Sequence, residues 1–166
     1  MKELLHENFG YESLAEVSTP ETFEESVECL KDIVPENISR LKYLYEAQAR
    51  FAETLEAWRE GDIEKIGANF RADGIGLRDD YEISGPELES MCDIARQVKG
   101  VHGERMLGGG DKGASGALIK AEAFDLLKSA IEKEYPKRHP DYSNDFAVYS
   151  CRTADGITCQ PLMSLI

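Results

Sequence analysis

Positive charge is scarce in this 166-residue chain: 19 Lys and Arg stand against 32 Asp and Glu, a formal net charge of −13. That balance excludes general affinity for nucleic acid or an anionic membrane surface, both of which need clustered Lys and Arg. Long apolar runs are lacking too. No stretch approaches the ~20 residues of a membrane span. The opening MKELLHENFGYES carries acids and has no apolar centre, so it does not read as a secretory signal. The expected location is the cytoplasm. Cysteine is sparse and scattered (Cys29, Cys92, Cys151, Cys159), with no CxxC pair, and there are only three histidines, His6, His102 and His139. No metal site is expected from that set, and the thiols read as reduced and mostly buried. Internal repeats and low-complexity tracts are absent. What remains is 42% apolar and 31% charged residues, the make-up of one soluble domain, residues 1–166.

Helical signals fill the first two thirds. Ser18-Thr19-Pro20-Glu21 reads as a helix start, with a hydroxyl cap, a proline in the first turn and Glu21 three residues after Ser18. Phe23, Val27, Leu30 and Val34 follow at helical spacing, and Pro35 ends that run. From about Glu36 to Glu60, Leu41, Leu44, Tyr45, Ala49, Ala52, Leu55 and Trp58 make one stripe, with Trp58 read as core. Gly61 stops it, and Asp62 caps a successor carrying Ile63, Ile66 and Phe70. Gly74 and Gly76 read as a loop. Gly85-Pro86 opens a helix with Leu88, Met91, Cys92, Ala95 and Val98 inward, ended by Gly100.

The last third mixes strands with one helix. Glu104 to Leu107 and Ala114 to Ile119 read as strands, and Ala121 to Tyr135 as a helix with Phe124, Leu127, Ala130 and Ile131 on one face. Asp145 to Cys151 alternates as a strand, turned by Ala154-Asp155-Gly156 toward Ile157-Cys159. The pattern predicts an α+β fold, with helices packed on one face of a small antiparallel sheet.

Between the two strands lies the oddest stretch, RMLGGGDKGASGALI from Arg105 to Ile119. Glycine inside a regular element costs roughly 0.5–1 kcal/mol relative to alanine, so something here needs a bare backbone. A strand followed by glycines can turn successive N–H groups into one concavity that accepts an anion, and Lys112 would add a cation. A plain glycine hairpin turn, or a close approach to a neighbouring helix, would use the same residues. The stretch is not a Walker A loop, since no GK[ST] follows, nor a Rossmann fingerprint, since both flanks read as strands.

The order of segments resembles the C-terminal half of the galactokinase branch of the GHMP small-molecule kinases. Glu60-Gly61-Asp62-Ile63-Glu64-Lys65-Ile66-Gly67 is similar to that family's GDLEKFG junction. Leu77-Arg78-Asp79-Asp80-Tyr81-Glu82-Ile83-Ser84, then Pro86-Glu87-Leu88-Glu89, matches SLRDDYEVS…PELD. Gly100-Val101-His102-Gly103-Glu104-Arg105-Met106 matches GVLGARM, and Gly108-Gly109-Gly110 takes the place of the third motif, TGAGFGGC. Phe146 to Gly156 looks like the closing strand and turn. The likeness spans roughly residues 15 to 157.

That resemblance implies a GHMP kinase C-terminal domain, a variant of the ferredoxin-like plait. The whole kinase would phosphorylate the anomeric hydroxyl of galactose, or of galacturonate or arabinose. It implies nucleotide contact through Gly108, Gly109, Gly110, Asp111, Lys112 and Gly113. ATP and Mg²⁺ would be held mainly by an N-terminal GHMP kinase domain, which also carries the catalytic aspartate. No GEHTDY-like or PxxxGLSSS-like run occurs in this chain, so it holds no catalytic residue and is expected to be inactive alone. Self-association into a homodimer is another expected way to hide the face where that domain would dock. Departures from the pattern are Leu107 for threonine, Asp111 for phenylalanine, Lys112 for glycine and Ala114 for cysteine. The SH.SLR approach appears as Asp73-Gly74-Ile75-Gly76-Leu77, so its serine and histidine are replaced. These changes leave open a catalytically silent regulatory or sugar-sensing relative, and a plain helical packing module with an incidental glycine turn.

Other residues carry plainer readings. Asp79 and Asp80 are expected to cap a turn or pair with basic neighbours rather than bind metal. Tyr81 is expected to pack, Arg105 to be an exposed strand residue or salt-bridge partner, and His102 to be a solvated turn histidine.

Overall fold

The computed structural model describes residues 1–110 and 113–152. Its elements are six helices and one hairpin: α1 (Lys2–Phe9), α2 (Pro20–Leu30), α3 (Ile38–Glu60), α4 (Ile63–Asp79), α5 (Pro86–Arg96), β1 (Val101–Leu107), β2 (Ala114–Ile119) and α6 (Phe124–Arg138). The fold is α+β, mostly helical, with a two-stranded antiparallel sheet.

Local chemistry sets the boundaries. The cap of α2 is Thr19, not Ser18: Thr19 accepts from the Thr22 N–H, and Thr22 answers the Thr19 N–H, a hydroxyl version of the capping box. Gly61, at φ +71°, ends α3 in the left-handed conformation that glycine adopts freely. The Asp62 side chain then accepts from the Lys65 N–H at 2.9 Å and starts α4. Helix α1 carried no strong sequence signal. It forms because Leu5 seals a cluster with Val17, Leu30 and Leu41, all essentially inaccessible.

Gly74 and Gly76 are not a loop; both lie inside α4. A Cβ on Gly74 would stand 2.7 Å from the Arg105 Cβ, and one on Gly76 2.7 Å from the Tyr43 ring. One turn pair earlier, a Cβ on Gly67 would meet His102 at 2.5 Å. Helix α4 therefore lies directly on β1. Glycine's cost within the helix is offset by that approach, which no side chain would allow.

Two further clusters hold the rest. Tyr43, Leu77, Leu88 and Met106 join α3, α4, α5 and β1. Ile94, Ala95, Leu127, Ile131 and Tyr135 join α5 to α6, with Val101, Ala117 and Ile119 of the hairpin against them. The hairpin register pairs Arg105 with Gly116 and Leu107 with Ala114. Residues 145–151 form no strand. Phe146 and Val148 do pack on the α5–α6 cluster while Tyr149 is exposed, so the alternation reported half-burial without a ladder partner. The proposed turn at 154–156 and strand at 157–159 lie outside the described residues.

Candidate functional site

The glycine stretch joins β1 to β2, and its members differ in surroundings. Gly110 is buried at φ +90°. A Cβ there would stand 1.7 Å from the Ile83 carbonyl oxygen, and the Gly110 carbonyl accepts from the Gly85 N–H at 2.7 Å. This side of the turn is clamped to the segment that enters α5. Gly108, at φ +83°, and Gly109 are exposed, and a Cβ on either would meet nothing within 4 Å. Among the described residues, the N–H groups of Gly108 and Gly109 find no backbone acceptor. Gly113 is exposed, with φ +156°. Asp111 and Lys112 lie outside the described residues. The open end thus offers bare amides to solvent, a geometry suited to an anion approaching from outside.

The acidic pair near the clamp is tied to bases. Arg78 grips Asp79 with two hydrogen bonds, Nε to Oδ1 at 2.7 Å and Nη2 to Oδ2 at 2.9 Å. Those bonds hold the Asp79 carboxyl below its ordinary range. Asp80 pairs with Lys42 of α3 at 3.4 Å. Ser84 bonds Glu89, which also faces Arg78. Tyr81 packs against Tyr43, ring centroids 5.3 Å apart. Among the described residues, no group of three or more His, Cys, Asp or Glu converges as metal ligands would.

Behind the turn, β1 carries a buried carboxylate that pattern reading passed over. Glu104 is 1% exposed. It accepts from Arg71 Nε at 2.9 Å and Nη2 at 2.8 Å, and from Arg96 Nε at 2.8 Å. One charge is therefore shared between α4, α5 and β1. The only sequence signal was an acid alternating with the apolar Met106 on a short strand. Arg105 points the other way and pairs with Asp73, so Asp73, standing where the family has serine, serves an internal ion pair. Asp73 also accepts from the Tyr43 hydroxyl at 3.1 Å. Burial, then the Asp73 charge, pushes the Tyr43 phenol up to about 12. His102 is not a solvated turn residue: its side chain is buried on β1 beneath α4, with Nδ1 3.1 Å from Glu64. Of the thiols, Cys92 is buried, Cys29 half-buried and Cys151 exposed. Cys159 lies outside the described residues.

Comparison with known proteins places this geometry. No family model matches the chain. It is 31% identical to a galactokinase of Limosilactobacillus fermentum over 144 residues, 87% of this chain and 36% of that protein. It is 35% identical to Homo sapiens galactokinase over 127 residues, 76% of this chain and 31% of that protein. The Enterococcus faecalis galactokinase is 32% identical over 153 residues, 92% of this chain and 38% of that protein. Among solved structures, Lactococcus lactis galactokinase in complex with galactose superposes with a TM-score of 0.74 at 26% identity, over 82% of this chain and 34% of that one. The chain spans about a third of the length of the curated relatives it matches.

Proposed function

We propose, from the premise that this chain belongs to the galactokinase family, that it is the C-terminal domain of an ATP-dependent sugar 1-kinase acting on galactose in the cytoplasm. The observation that supports the reading most is the glycine turn at the end of β1. One side is locked to the entry of α5, and the other leaves the amides of Gly108 and Gly109 bare. ATP would supply the phosphoryl group, with Mg²⁺ held mainly by the N-terminal domain. This chain's part is to present N–H groups from Gly108 to Gly113, and the Lys112 ammonium, to phosphate oxygens. No side chain stands in the way at Gly108 or Gly109. Fixed N–H groups raise affinity because they need not reorganise when the charge arrives.

The arrangement divides the labour. Catalysis of phosphoryl transfer is mostly positioning and charge stabilisation, and one rim of glycine amides supplies only part of either. Alone, the chain is expected to show no turnover. Joined to the portion of Enterococcus faecalis galactokinase that it does not cover, it should bind ATP–Mg²⁺ and phosphorylate galactose. A joined protein that phosphorylates none of galactose, galacturonate and arabinose would remove the kinase reading.

The substitutions in the turn favour a second reading, a catalytically silent regulatory or sugar-sensing relative. Asp111 would bring a negative charge toward the phosphates, with Lys112 beside it to compensate. Calorimetry separates the two, because a silent relative releases no heat with ATP–Mg²⁺ at any concentration.

A further inference from the structure

One cleft in this domain gathers charge that its own residues do not balance. It lies between α3, α4 and β1, has a volume of about 290 Å³, and has Arg50, Phe51, Asn69, Phe70, Asp73 and Arg105 in its lining. That volume stands at the small end of the ~300–1,000 Å³ of ligand pockets, enough for a six-membered ring with its substituents. Two guanidiniums reach the cleft, and they share one carboxylate. Asp73 accepts from Arg105 Nη1 through Oδ2, and from the Tyr43 hydroxyl through Oδ1 at 3.1 Å. Arg50 Nη2 stands 3.7 Å from Oδ1, too far for a hydrogen bond. The Nε and Nη2 of Arg50 are buried without an acceptor, the only side-chain atoms so placed among the described residues. Donors left in that state are costly, because they have given up water and gained no partner. Arg50 Nη1 does bond Glu46 at 3.2 Å, but Glu46 also faces Lys42 at 3.8 Å. Glu53, on the same helix, is held by Lys65 at 2.8 Å. The cleft thus carries one positive charge more than its own carboxylate cancels, in a chain whose net charge is −13.

Arg105 has a donor to spare for a charge that would cancel this excess. Its Nε donates to the Met106 carbonyl at 3.1 Å and its Nη1 to Asp73, which leaves Nη2 without a partner among the described residues. The half-buried guanidinium lies over the Phe70 ring, 5.6 Å from the centroid, and that stacking orients its planar fork. Phe51, exposed, contributes a second ring to the same cleft. A guanidinium fork recognises an oxyanion, and an aromatic face beside it accepts the C–H face of whatever carries that anion.

We infer that this cleft is a binding site for a monosaccharide-sized oxyanion, a sugar carrying one carboxylate or phosphate, gripped by Arg105. The ligand's anion and the Asp73 carboxylate exchange places on the Arg105 fork. Asp73, displaced, turns toward Arg50 and supplies the acceptor that the Arg50 donors lack. Two guanidiniums then face two anions, and the excess charge is gone. The inference uses neither the glycine turn nor the kinase reading, since every residue in it belongs to this chain and no turnover is involved.

The test titrates the 166-residue chain with galacturonate and with galactose 6-phosphate, which place a carboxylate and a phosphate on the same sugar. Calorimetry reads affinity, and NMR follows the arginine Nε–H signals. Galactose supplies the ring without the charge; acetate and inorganic phosphate supply the charge without the ring. At least one charged sugar should bind tenfold or more tightly than every control, and the better of the two identifies the anion. The Nε–H signals of Arg105 and Arg50 should both move, that of Arg50 through Asp73. Arg105→Lys keeps the charge but loses the fork, and should bind at least tenfold more weakly. Phe51→Ser, at an exposed position, should weaken binding severalfold and leave the melting temperature unchanged. Asp73→Asn removes the competing carboxylate and should bind the charged sugar more tightly, the reverse of what a purely structural Asp73 predicts. The inference is overturned by a wild-type chain that binds neither charged sugar, or that binds galactose or the ring-free anions equally well. A folded Asp73→Asn variant that binds more weakly overturns it too.

Discussion

Gly109 and Gly110 are chain neighbours with opposite surroundings. Around Gly110 there is no room for one carbon atom beside the Ile83 carbonyl, and its own carbonyl is bonded to Gly85. Around Gly109 there is nothing. The same contrast runs along β1, from the fully satisfied Glu104 at its middle to the bare amides at its end. One side of the turn is held against Ile83 and Gly85, and the other is open to solvent. Glycine therefore has two jobs within three residues, and only the surroundings tell them apart.

Predictions that would break or sharpen this contrast fall in order of size. At the closed end, Glu104→Ala removes the buried carboxylate on which the half-buried Arg71 and Arg96 converge and should cost about 3 kcal/mol, read from chemical denaturation. A loss below about 1 kcal/mol would mean the buried pairings are dispensable. Gly110→Ala forces a methyl against backbone at positive φ and should cost about 3 kcal/mol, with unchanged stability contradicting the clamp. The next effect depends on pH. Tyr43 has its folded value raised from 10.0 to about 12. The folded state then holds the phenolic proton more tightly than the unfolded chain. Stability from this group is complete below pH 10 and declines as pH rises toward about 12, by about 2.7 kcal/mol in total. Tyr43→Phe should flatten that part of the alkaline limb, on which the raised Cys92 thiol also acts. At the open end, Gly109→Val should change stability by no more than about 0.5 kcal/mol, because it touches nothing in this domain.

Sequence pattern located the elements better than it located their surroundings. The inward Leu88, Cys92 and Ala95 of α5 were legible because their helical spacing reports burial within this chain, and β2 from Ala114 to Ile119 was legible as a short run of small and apolar residues after the glycines. The α3 stripe was misplaced over its second half for the complementary reason: Ala49, Ala52, Leu55 and Trp58 keep its phase yet are exposed, while Tyr43 and Ala57 join Leu41 as the buried positions of that helix. Gly74 and Gly76 were misread because helix propensity is a local quantity, while their reason for being glycine is the backbone of β1 and the ring of Tyr43 on other elements. His102 was misjudged similarly, since only the approach of α4 buries it. Of the candidate site, the glycines could be named from sequence, but not the division between open Gly108 and Gly109 and clamped Gly110. That division depends on Ile83 and Gly85, more than twenty residues upstream.

The most direct measurement is ATP–Mg²⁺ calorimetry on the chain joined to the uncovered part of Enterococcus faecalis galactokinase, with and without Gly109→Val. A side chain at the open end should weaken binding at least tenfold while the melting temperature stays unchanged. Equal affinity in the two proteins would show that the bare amides do not meet the phosphates, and would contradict the account.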